Sequence, residues 1–308
     1  MHEPVATSSR RALITGASGG IGLEIARGLA AAEWEVLLAV RNRERGEAAA
    51  TSMRQAAPDA RVTLLDLDLA SLDSVDRLVS KLLEAGEPIE LLVLNAGIVS
   101  LGEREPLCTD DGFELAFQSN YLGHAVLTLG LLPLLRGGGA RVVIQSSIAA
   151  ARGRLSDEDL LGEPGARPLK AYRRSKIALG MFGLELARRS AAEGWGISVQ
   201  FCHPGVAPGS GIAPALRKRL PGWIERRAGS IGNPPVVAAQ TALAAVDSGA
   251  TVPRLFAPSG WFGLAGRARA RNPFSTFDNE RQARELWSRT KALLEARASA
   301  EGDQNRTS

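Results

Sequence analysis

The sequence is poor in residues that mark several protein classes. It has two cysteines in 308 residues, Cys108 and Cys202, and they form no C-x-x-C pair. This argues against a disulfide framework and favours a reducing compartment. Cys202 and His203 are adjacent, but no third ligand stands at a metal-binding spacing, so we predict no metal site and assign His203 a structural place. Aromatic residues make up only 5% of the chain, so Ala, Leu and Val must form most of the core.

Long apolar runs are also lacking. No segment approaches the roughly 20 apolar residues that span a bilayer. The N-terminal stretch MHEPVATSSRR has no apolar run after a basic start, as a secretion signal would. The net charge of +4 is too small to indicate nucleic-acid binding. These absences predict a soluble, cytoplasmic protein without a nucleic-acid partner.

Short apolar runs alternate with segments of helical spacing. The runs are apolar at consecutive positions, as expected for strands covered on both faces. The alternation predicts one α/β domain over residues 10–298, a Rossmann-type, doubly wound parallel sheet with helices on both faces and polar, disordered tails at 1–9 and 299–308. Six strands are predicted: Ala12–Thr15, Val36–Val40, Val62–Leu65, Leu91–Leu94, Val142–Gln145 and Ile197–Phe201.

The glycine-rich stretch LITGASGGIGLEIA, Leu13 to Ala26, fits two motifs. Its G-x-S-x-G pattern matches the nucleophile elbow of serine hydrolases, with Ser18 as nucleophile. Its glycines also match the turn that holds a dinucleotide pyrophosphate at a helix N-terminus. A hydrolase elbow follows a later, central strand, whereas this stretch follows the first strand, so we favour a cofactor site. The predicted contacts are Gly16, Ser18, Gly19, Gly20, Ile21 and Gly22.

The end of the second strand bears on the choice of cofactor. Enzymes that prefer NAD usually carry an acid there for the ribose 2′-hydroxyl, but this chain has Val40 followed by Arg41 and Asn42. Arg43 and Arg45 lie just beyond, and arginines suit a 2′-phosphate. We therefore predict NADP(H), with Arg41 and Asn42 as contacts. NAD(H) remains the alternative, with the arginines as a solvated face.

Further motifs occur in a fixed order along the chain. They are Thr15–Gly22 (TGASGGIG), Asp68-Leu69, Asn95-Ala96-Gly97, Asn120, Ser146-Ser147, Tyr172–Lys176 (YRRSK) and His203-Pro204-Gly205. In this set the chain resembles the short-chain dehydrogenase/reductase family over nearly its whole length. The long gap between Ser147 and Tyr172 resembles the retinol-dehydrogenase-like and WW-domain-oxidoreductase-like branch. That branch implies a lipophilic ketone, aldehyde or alcohol as substrate.

The resemblance also implies cofactor contacts beyond the glycine loop. Pro208 departs from the family's threonine at the nicotinamide amide, and Ser210 is a candidate replacement. The helices around 112–135 and 171–191 would form a homodimer or homotetramer interface. The implied cofactor contacts are Asp68, Leu69, Asn95, Ala96, Gly97, Tyr172, Lys176, Pro204 and Gly205.

Tyr172 and Lys176 form the core of a predicted catalytic set. They are four positions apart and share one face of a helix. A free tyrosine has a pKa of about 10, and a cation one turn away should lower that pKa. Tyr172 could then exchange a proton with a carbonyl or alcohol oxygen. The resemblance adds Ser147, chosen over Ser146, to bind the substrate oxygen, and Asn120 to hold a water that carries the proton onward from Lys176.

The segment 206–276 is rich in proline and glycine and breaks the strand–helix rhythm. It holds nine basic residues and two acidic ones. The resemblance makes this segment a substrate lid, with Trp223, Trp261 and Phe262 as candidate apolar lining. Its charge suits an acidic substrate or carrier, an anionic membrane surface, or simple solvation. We hypothesise weak, peripheral membrane-surface contact.

Together these features predict an NADP(H)-dependent carbonyl reductase or alcohol dehydrogenase acting on a small molecule. The alternative function is a non-catalytic dinucleotide sensor on the same fold. Such a sensor would be expected to lose the Tyr–Lys pair, and this chain keeps Tyr172 and Lys176.

Overall fold

The structure is a computed structural model that describes residues 10–100, 107–162, 165, 167–205, 233–260 and 265–307. Several sequence-based predictions lie outside these ranges. They are the N-terminal tail, most of the predicted lid, and the residues Pro208, Ser210, Trp223, Trp261 and Phe262.

The described chain is built on one eight-stranded sheet in the order β3-β2-β1-β4-β5-β6-β7-β8. Neighbouring strands are parallel except β7 and β8, which are antiparallel. The order reverses between β1 and β4, the position where ligands bind in such sheets. This confirms the α/β prediction. The strands are β1 (Arg11–Thr15), β2 (Glu35–Val40), β3 (Val62–Asp66), β4 (Leu91–Leu94), β5 (Arg141–Gln145), β6 (Ser198–Cys202), β7 (Leu255–Pro258) and β8 (Ala268–Arg271).

Helices cover both faces of the sheet. Alternate residues of each strand therefore point into two separate cores, as Leu37 and Leu38 of β2 do. This explains why the strands are apolar at consecutive positions. The helices are α1 (Gly20–Ala31), α2 (Arg43–Ala56), α3 (Leu72–Ala85), α4 (Leu115–Phe117), α5 (Gly123–Gly130), α6 (Leu132–Gly137), α7 (Pro168–Glu193), α8 (Pro235–Val246) and α9 (Glu280–Thr307).

None of the helices in the described ranges is long and apolar enough to cross a bilayer. Helix α3 shows clear local start and stop signals. Helix α3 begins after Ser71, whose hydroxyl accepts the amide of Ser74, and ends at Gly86 in the left-handed conformation. Helices α4 and α5 are joined by a π-helical turn, Gln118–Leu122. Such turns often lie at functional sites.

The predicted break in the strand–helix rhythm is wrong for residues 235–271. Helix α8 packs on α1, and β7 pairs with β6 through Phe201 and Leu255. The prolines that suggested a loop instead start a helix, because Pro235 occupies its first position, where a missing amide hydrogen has no cost. Only residues 206–232 of the predicted lid keep the interpretation as a lid, and they lie outside the described ranges.

Helix α9 lies along α7 and α5. Trp287 of α9 is 4% exposed and stacks on Phe182 of α7, with ring centroids 5.4 Å apart. Tyr121 donates its hydroxyl to the carbonyl of Leu286 and lies 2.9 Å from the hydroxyl of Thr290. These are the helices for which the resemblance implied a subunit interface, so the chain itself covers that surface. The oligomeric state stays a prediction.

Helix α9 also extends past the predicted domain end. It continues to Thr307, so a helix lies where a disordered tail from residue 299 was predicted, and the domain boundary at 298 stays a prediction.

Candidate active site

The glycine loop joins β1 to α1 in a backbone that requires glycine. Gly16 has φ +69°, and a Cβ on Gly22 would lie 2.5 Å from the carbonyl oxygen of Gly16. Helix α1 begins without a side-chain cap and without an acidic residue in its first turn. Its first amides therefore remain available to an anion, as a pyrophosphate site needs.

Thr15 connects this loop to the end of β4. Its Oγ1 accepts the amides of Asn95 and Ala96, each at 3.0 Å. The Asn95 side chain in turn donates to the Thr15 carbonyl at 2.9 Å. Asn95, predicted as a cofactor contact, thus holds the two loops together.

Lys176 and Asn120 lie on either side of Gly97. A Cβ on Gly97 would be 3.2 Å from Lys176 Nζ and 3.3 Å from Asn120 Oδ1. Lys176 is 2% exposed and donates to the Gln145 carbonyl at 2.9 Å. Three residues predicted from separate motifs therefore meet at the carboxyl end of the sheet.

Both polar atoms of the Asn120 side-chain amide form hydrogen bonds that hold this residue in place. Its Oδ1 accepts the amide of Ile98 at 2.7 Å, and its Nδ2 donates to the Ile98 carbonyl at 2.9 Å. Nδ2 also donates to Ser175 Oγ at 2.9 Å, and Ser175 donates to the Tyr172 carbonyl. No role was predicted for Ser175, although it stands in the YRRSK motif, which could have indicated one.

Ser147 faces Tyr172, and Ser146 does not. The Ser147 hydroxyl lies close enough to the Tyr172 phenol to lower its pKa. Ser146 Oγ is buried with no hydrogen-bond partner in the described part of the chain. The geometry favours Ser147 of the two candidates.

The arginines after β2 have different environments. Arg43 is tied to Glu47 at 3.1 Å and to Asp66 at 2.9 Å. Arg41 is exposed and forms no ion pair with a described residue. Arg45 reaches back to the glycine loop, where its Nη2 lies 3.2 Å from a Cβ placed on Gly19. Arg45 is therefore the arginine beside the loop.

Asn42 and Asp68 form local bonds of their own. Asn42 caps α2, because its Oδ1 accepts the amide of Arg45 at 2.8 Å. Asp68 Oδ1 accepts the amide of Ala70 at 3.0 Å, and Leu69 is buried in the core. Asn42 follows the carboxyl end of β2, and Asp68 and Leu69 follow that of β3. The glycine loop follows β1 at the same edge of the sheet.

Pro204 and Gly205 follow β6 as predicted. The Gly205 amide donates to His203 Nδ1 at 3.0 Å, and the Pro204 carbonyl accepts from Asn233 at 3.0 Å. His203 is thus a turn residue at a strand end.

Comparison with known proteins decides the family. Residues 10–220 match the family model for short chain dehydrogenase. The chain belongs to the short-chain dehydrogenase family. Within it, this dehydrogenase falls in the retinol-dehydrogenase-like branch. It is similar to mouse polyprenol dehydrogenase, 38% identical over 70% of this chain and 66% of that protein, and to human retinol dehydrogenase 13, 38% identical over 63% and 58%.

A solved structure from Mycobacterium paratuberculosis shares the fold of this dehydrogenase. It is 32% identical, covers 93% of each chain and superposes with a TM-score of 0.72. The matched part spans less than two thirds of the mouse and human relatives.

The hydrolase alternative for Ser18 finds no support in this dehydrogenase. Ser18 forms no hydrogen bond with a histidine or carboxylate of the described ranges, and His124, the histidine beside the loop, is bonded to Thr15 Oγ1. A serine nucleophile needs such a base.

The expected lowering of the Tyr172 pKa is wrong for this structure. Burial raises the pKa of Tyr172, and the hydrogen bond from Ser147 only partly opposes that effect. Burial also lowers the pKa of Lys176 to about 8. The charged form of each group loses hydration, and this loss exceeds the attraction that the sequence spacing suggested.

The residues of this dehydrogenase fit the nicotinamide dinucleotide that its family binds. The uncapped start of α1 offers amides to the pyrophosphate. Lys176 is buried with three N–H donors and has one acceptor among the described residues, the Gln145 carbonyl, so it can donate to a ribose as well. Gly97 leaves the space between Lys176 and Asn120 free of a side chain.

Proposed function

We propose that the chain is an NADP(H)-dependent oxidoreductase that interconverts a carbonyl and an alcohol. One observation carries the proposal: Lys176 and Asn120 both adjoin Gly97, and Ser147 lies beside Tyr172, all at the carboxyl end of one sheet. An oxidoreductase of the short-chain dehydrogenase family is established by the family match. The catalytic roles, the cofactor preference and the substrate are the proposal.

The bound cofactor would supply or accept the hydride. The raised pKa of Tyr172 keeps its phenol protonated near neutral pH, so in reduction the hydroxyl donates its proton to the new alkoxide oxygen. Ser147, beside that phenol, offers its hydroxyl to the same oxygen and stabilises the developing charge. Tyr172 and Ser147 thereby hold the carbonyl oxygen between two donors.

Lys176 and Asn120 replenish that proton in the proposed mechanism. A Lys176 pKa of about 8 lets this ammonium release a proton near physiological pH. The Asn120 side chain is fixed by Ile98 and Ser175. A water held at Asn120 would carry the proton onward from Lys176.

The first prediction concerns Tyr172→Phe. A panel of ketones, aldehydes and alcohols is assayed by the absorbance of NADPH, and the variant should lose at least about a hundredfold in kcat while NADPH still binds. The chain has two tyrosines, so Tyr121→Phe, which removes a hydroxyl bonded to Thr290, is the matched control. Normal turnover by Tyr172→Phe would refute the catalytic assignment.

The second prediction concerns the choice of cofactor. Arg45 adjoins Gly19, and no acid stands at the end of β2, where Val40 is followed by Arg41. A hydrogen bond to a charged group is worth about 1.5–3 kcal/mol, so Arg45→Ala should weaken NADPH binding roughly tenfold to a hundredfold and leave NADH binding unchanged. Arg43→Ala, whose guanidinium is engaged by Asp66 and Glu47, is the control. Equal losses for both cofactors would contradict the NADP(H) preference.

A lipophilic substrate is the part of the proposal that rests on similarity. Two relatives are named for alcohols, polyprenol and retinol. The substrate panel should therefore include long-chain alcohols and aldehydes beside short ones. A dinucleotide sensor, the alternative function, would bind NADPH and turn over nothing in the panel.

Location and assembly complete the proposal. We infer a cytoplasmic protein that contacts anionic membrane surfaces weakly through basic residues, of which Arg267, Arg269 and Arg271 lie exposed around β8. Co-sedimentation with vesicles, with and without anionic lipid, measures that contact. The assembly of two or four copies stays a prediction, and α9 packs on α5 and α7, the helices predicted to form its interface.

A further inference from the structure

A buried imidazole joins the glycine loop to the catalytic cluster. His124 lies in α5, one turn after Asn120, and is fully buried. Its Nδ1 is 3.0 Å from the Asn120 carbonyl oxygen, and its Nε2 is 2.9 Å from Thr15 Oγ1. Its place in the sequence predicts no more than a packed helix residue.

The partners determine which ring nitrogen carries the hydrogen. A carbonyl can only accept, so Nδ1 is protonated and donates to Asn120. Nε2 is then the acceptor and receives the hydroxyl proton of Thr15, whose other candidate acceptor, the Val93 carbonyl, is farther away at 3.3 Å. Burial lowers the pKa of His124 to about 3, so the ring stays neutral and this arrangement persists at working pH.

The two bonds close a continuous path. Because the Thr15 hydroxyl points its proton at His124, its lone pairs face the amides of Asn95 and Ala96. At the other end Asn120 holds both backbone groups of Ile98. The backbone 95–98 is thereby gripped from both sides, with Gly97 between Lys176 and Asn120.

We propose that His124 is a positioning residue that sets the spacing between the glycine loop, the backbone 95–98 and Asn120. It touches neither substrate nor cofactor and acts through Thr15 and Asn120. Its structural effect on residues 95–98 does not depend on the proposed function, whereas its effect on NADPH affinity does.

The test is His124→Phe, which fills the same space and forms neither bond. Amide hydrogen exchange of residues 95–98 and NADPH affinity are measured on the full chain. Thr128→Val is the matched control, because it also removes a buried hydrogen bond of α5, from Thr128 Oγ1 to the His124 carbonyl, and leaves the ring's partners intact. Thr15→Val, Thr15→Ser and the double variant Thr15→Val/His124→Phe complete the set.

We expect His124→Phe to speed exchange at Ala96 and Ile98 about tenfold or more and to weaken NADPH binding several-fold. Thr128→Val should change neither at a temperature where both variants are folded. At Ala96 the double variant should be no worse than Thr15→Val alone, since both changes act there through the Thr15 hydroxyl, and Thr15→Ser, which keeps that hydroxyl, should show wild-type exchange. Unchanged exchange in His124→Phe, or fully additive losses at Ala96 in the double variant, would overturn the inference.

The two proposals fail in different ways. If the wild-type chain binds no NADPH, the proposed cofactor is wrong, and the exchange result still decides the role of His124. If His124→Phe unfolds, His124→Asn replaces it, because a shorter amide can keep the donor to the Asn120 carbonyl while losing Thr15. Exchange at Ala96 should then rise while exchange at Ile98 stays slow, and slow exchange at both would count against the proposal.

Discussion

At the scale of single residues, burial decides the chemistry of the site. Lys176 is surrounded by protein, and the Gln145 carbonyl is its hydrogen-bond acceptor in the described chain. Its ammonium therefore carries an uncompensated desolvation cost, which appears as the pKa of about 8. A lysine on a helix surface would keep a pKa near 10.4.

This leads to a third prediction, on stability and pH. Between about pH 8 and 10.5 the unfolded chain holds more protons on Lys176 than the folded chain, so this group makes the folded state more stable as pH rises. Lys176→Met removes that contribution. The difference in unfolding free energy, variant minus wild type, should shrink by up to about 3 kcal/mol over this window.

Urea unfolding at several pH values, without cofactor, measures that difference. Other groups titrate in the same range, but they are common to both proteins and cancel. A difference that stays constant from pH 7 to 10.5 would mean that burial does not lower the pKa of Lys176.

At the scale of elements, the segment between β5 and α7 is fastened at several points. Asp159 forms an ion pair with Arg174 of α7 at 2.6 Å and accepts the amide of Ser156 at 2.8 Å. The Gly162 carbonyl accepts the amide of Glu114. This segment connects Ser147 to Tyr172, so its anchoring also holds the two catalytic candidates in register.

The fourth prediction concerns Asp159→Asn. Breaking a buried pair leaves Arg174 without its partner and should cost about 3 kcal/mol of unfolding free energy. Hydrogen exchange should rise in residues 152–162. Glu158→Gln, an exposed neighbour, is the control and should change stability by less than about 0.5 kcal/mol. Equal urea midpoints for both variants would show that the pair is not a structural anchor.

At the scale of the whole molecule, α9 closes the hydrophobic core. Trp287 stacks between Phe182 and Trp195, with ring centroids 5.4 Å and 6.2 Å away, and the guanidinium of Arg189 lies 4.7 Å from its ring. Arg297 then ties α9 to α3 through Asp73 and through Asp76 at 2.7 Å. The helix thus joins elements that are distant in sequence.

The fifth prediction is that Trp287→Ala destabilises the fold by about 3–5 kcal/mol, because it removes a large buried aromatic and leaves a cavity. Arg284→Ala, which breaks only an exposed pair with Glu280, is the control and should be nearly neutral. Thermal or urea unfolding distinguishes them. Light scattering on the same samples reports whether loosening α9 promotes self-association. A Trp287→Ala protein as stable as wild type would contradict the role given to α9.

The sequence by itself determined the parts that depend on neighbouring residues. The glycine loop after β1, the buried strands and the placement of Tyr172 and Lys176 on one helix follow from short-range geometry, and the fold and family are confirmed. The order of motifs also predicted which side chains would meet at the carboxyl edge of the sheet, although their catalytic roles stay predictions.

The tertiary structure decided what depends on distant partners and on loss of water. It reversed the expected direction of the Tyr172 pKa, placed Arg45 beside Gly19 of the glycine loop, and gave His124 partners on two elements. It also laid α9 over α5 and α7. Desolvation and long-range packing depend on the whole fold, so no local pattern of residues could have revealed them.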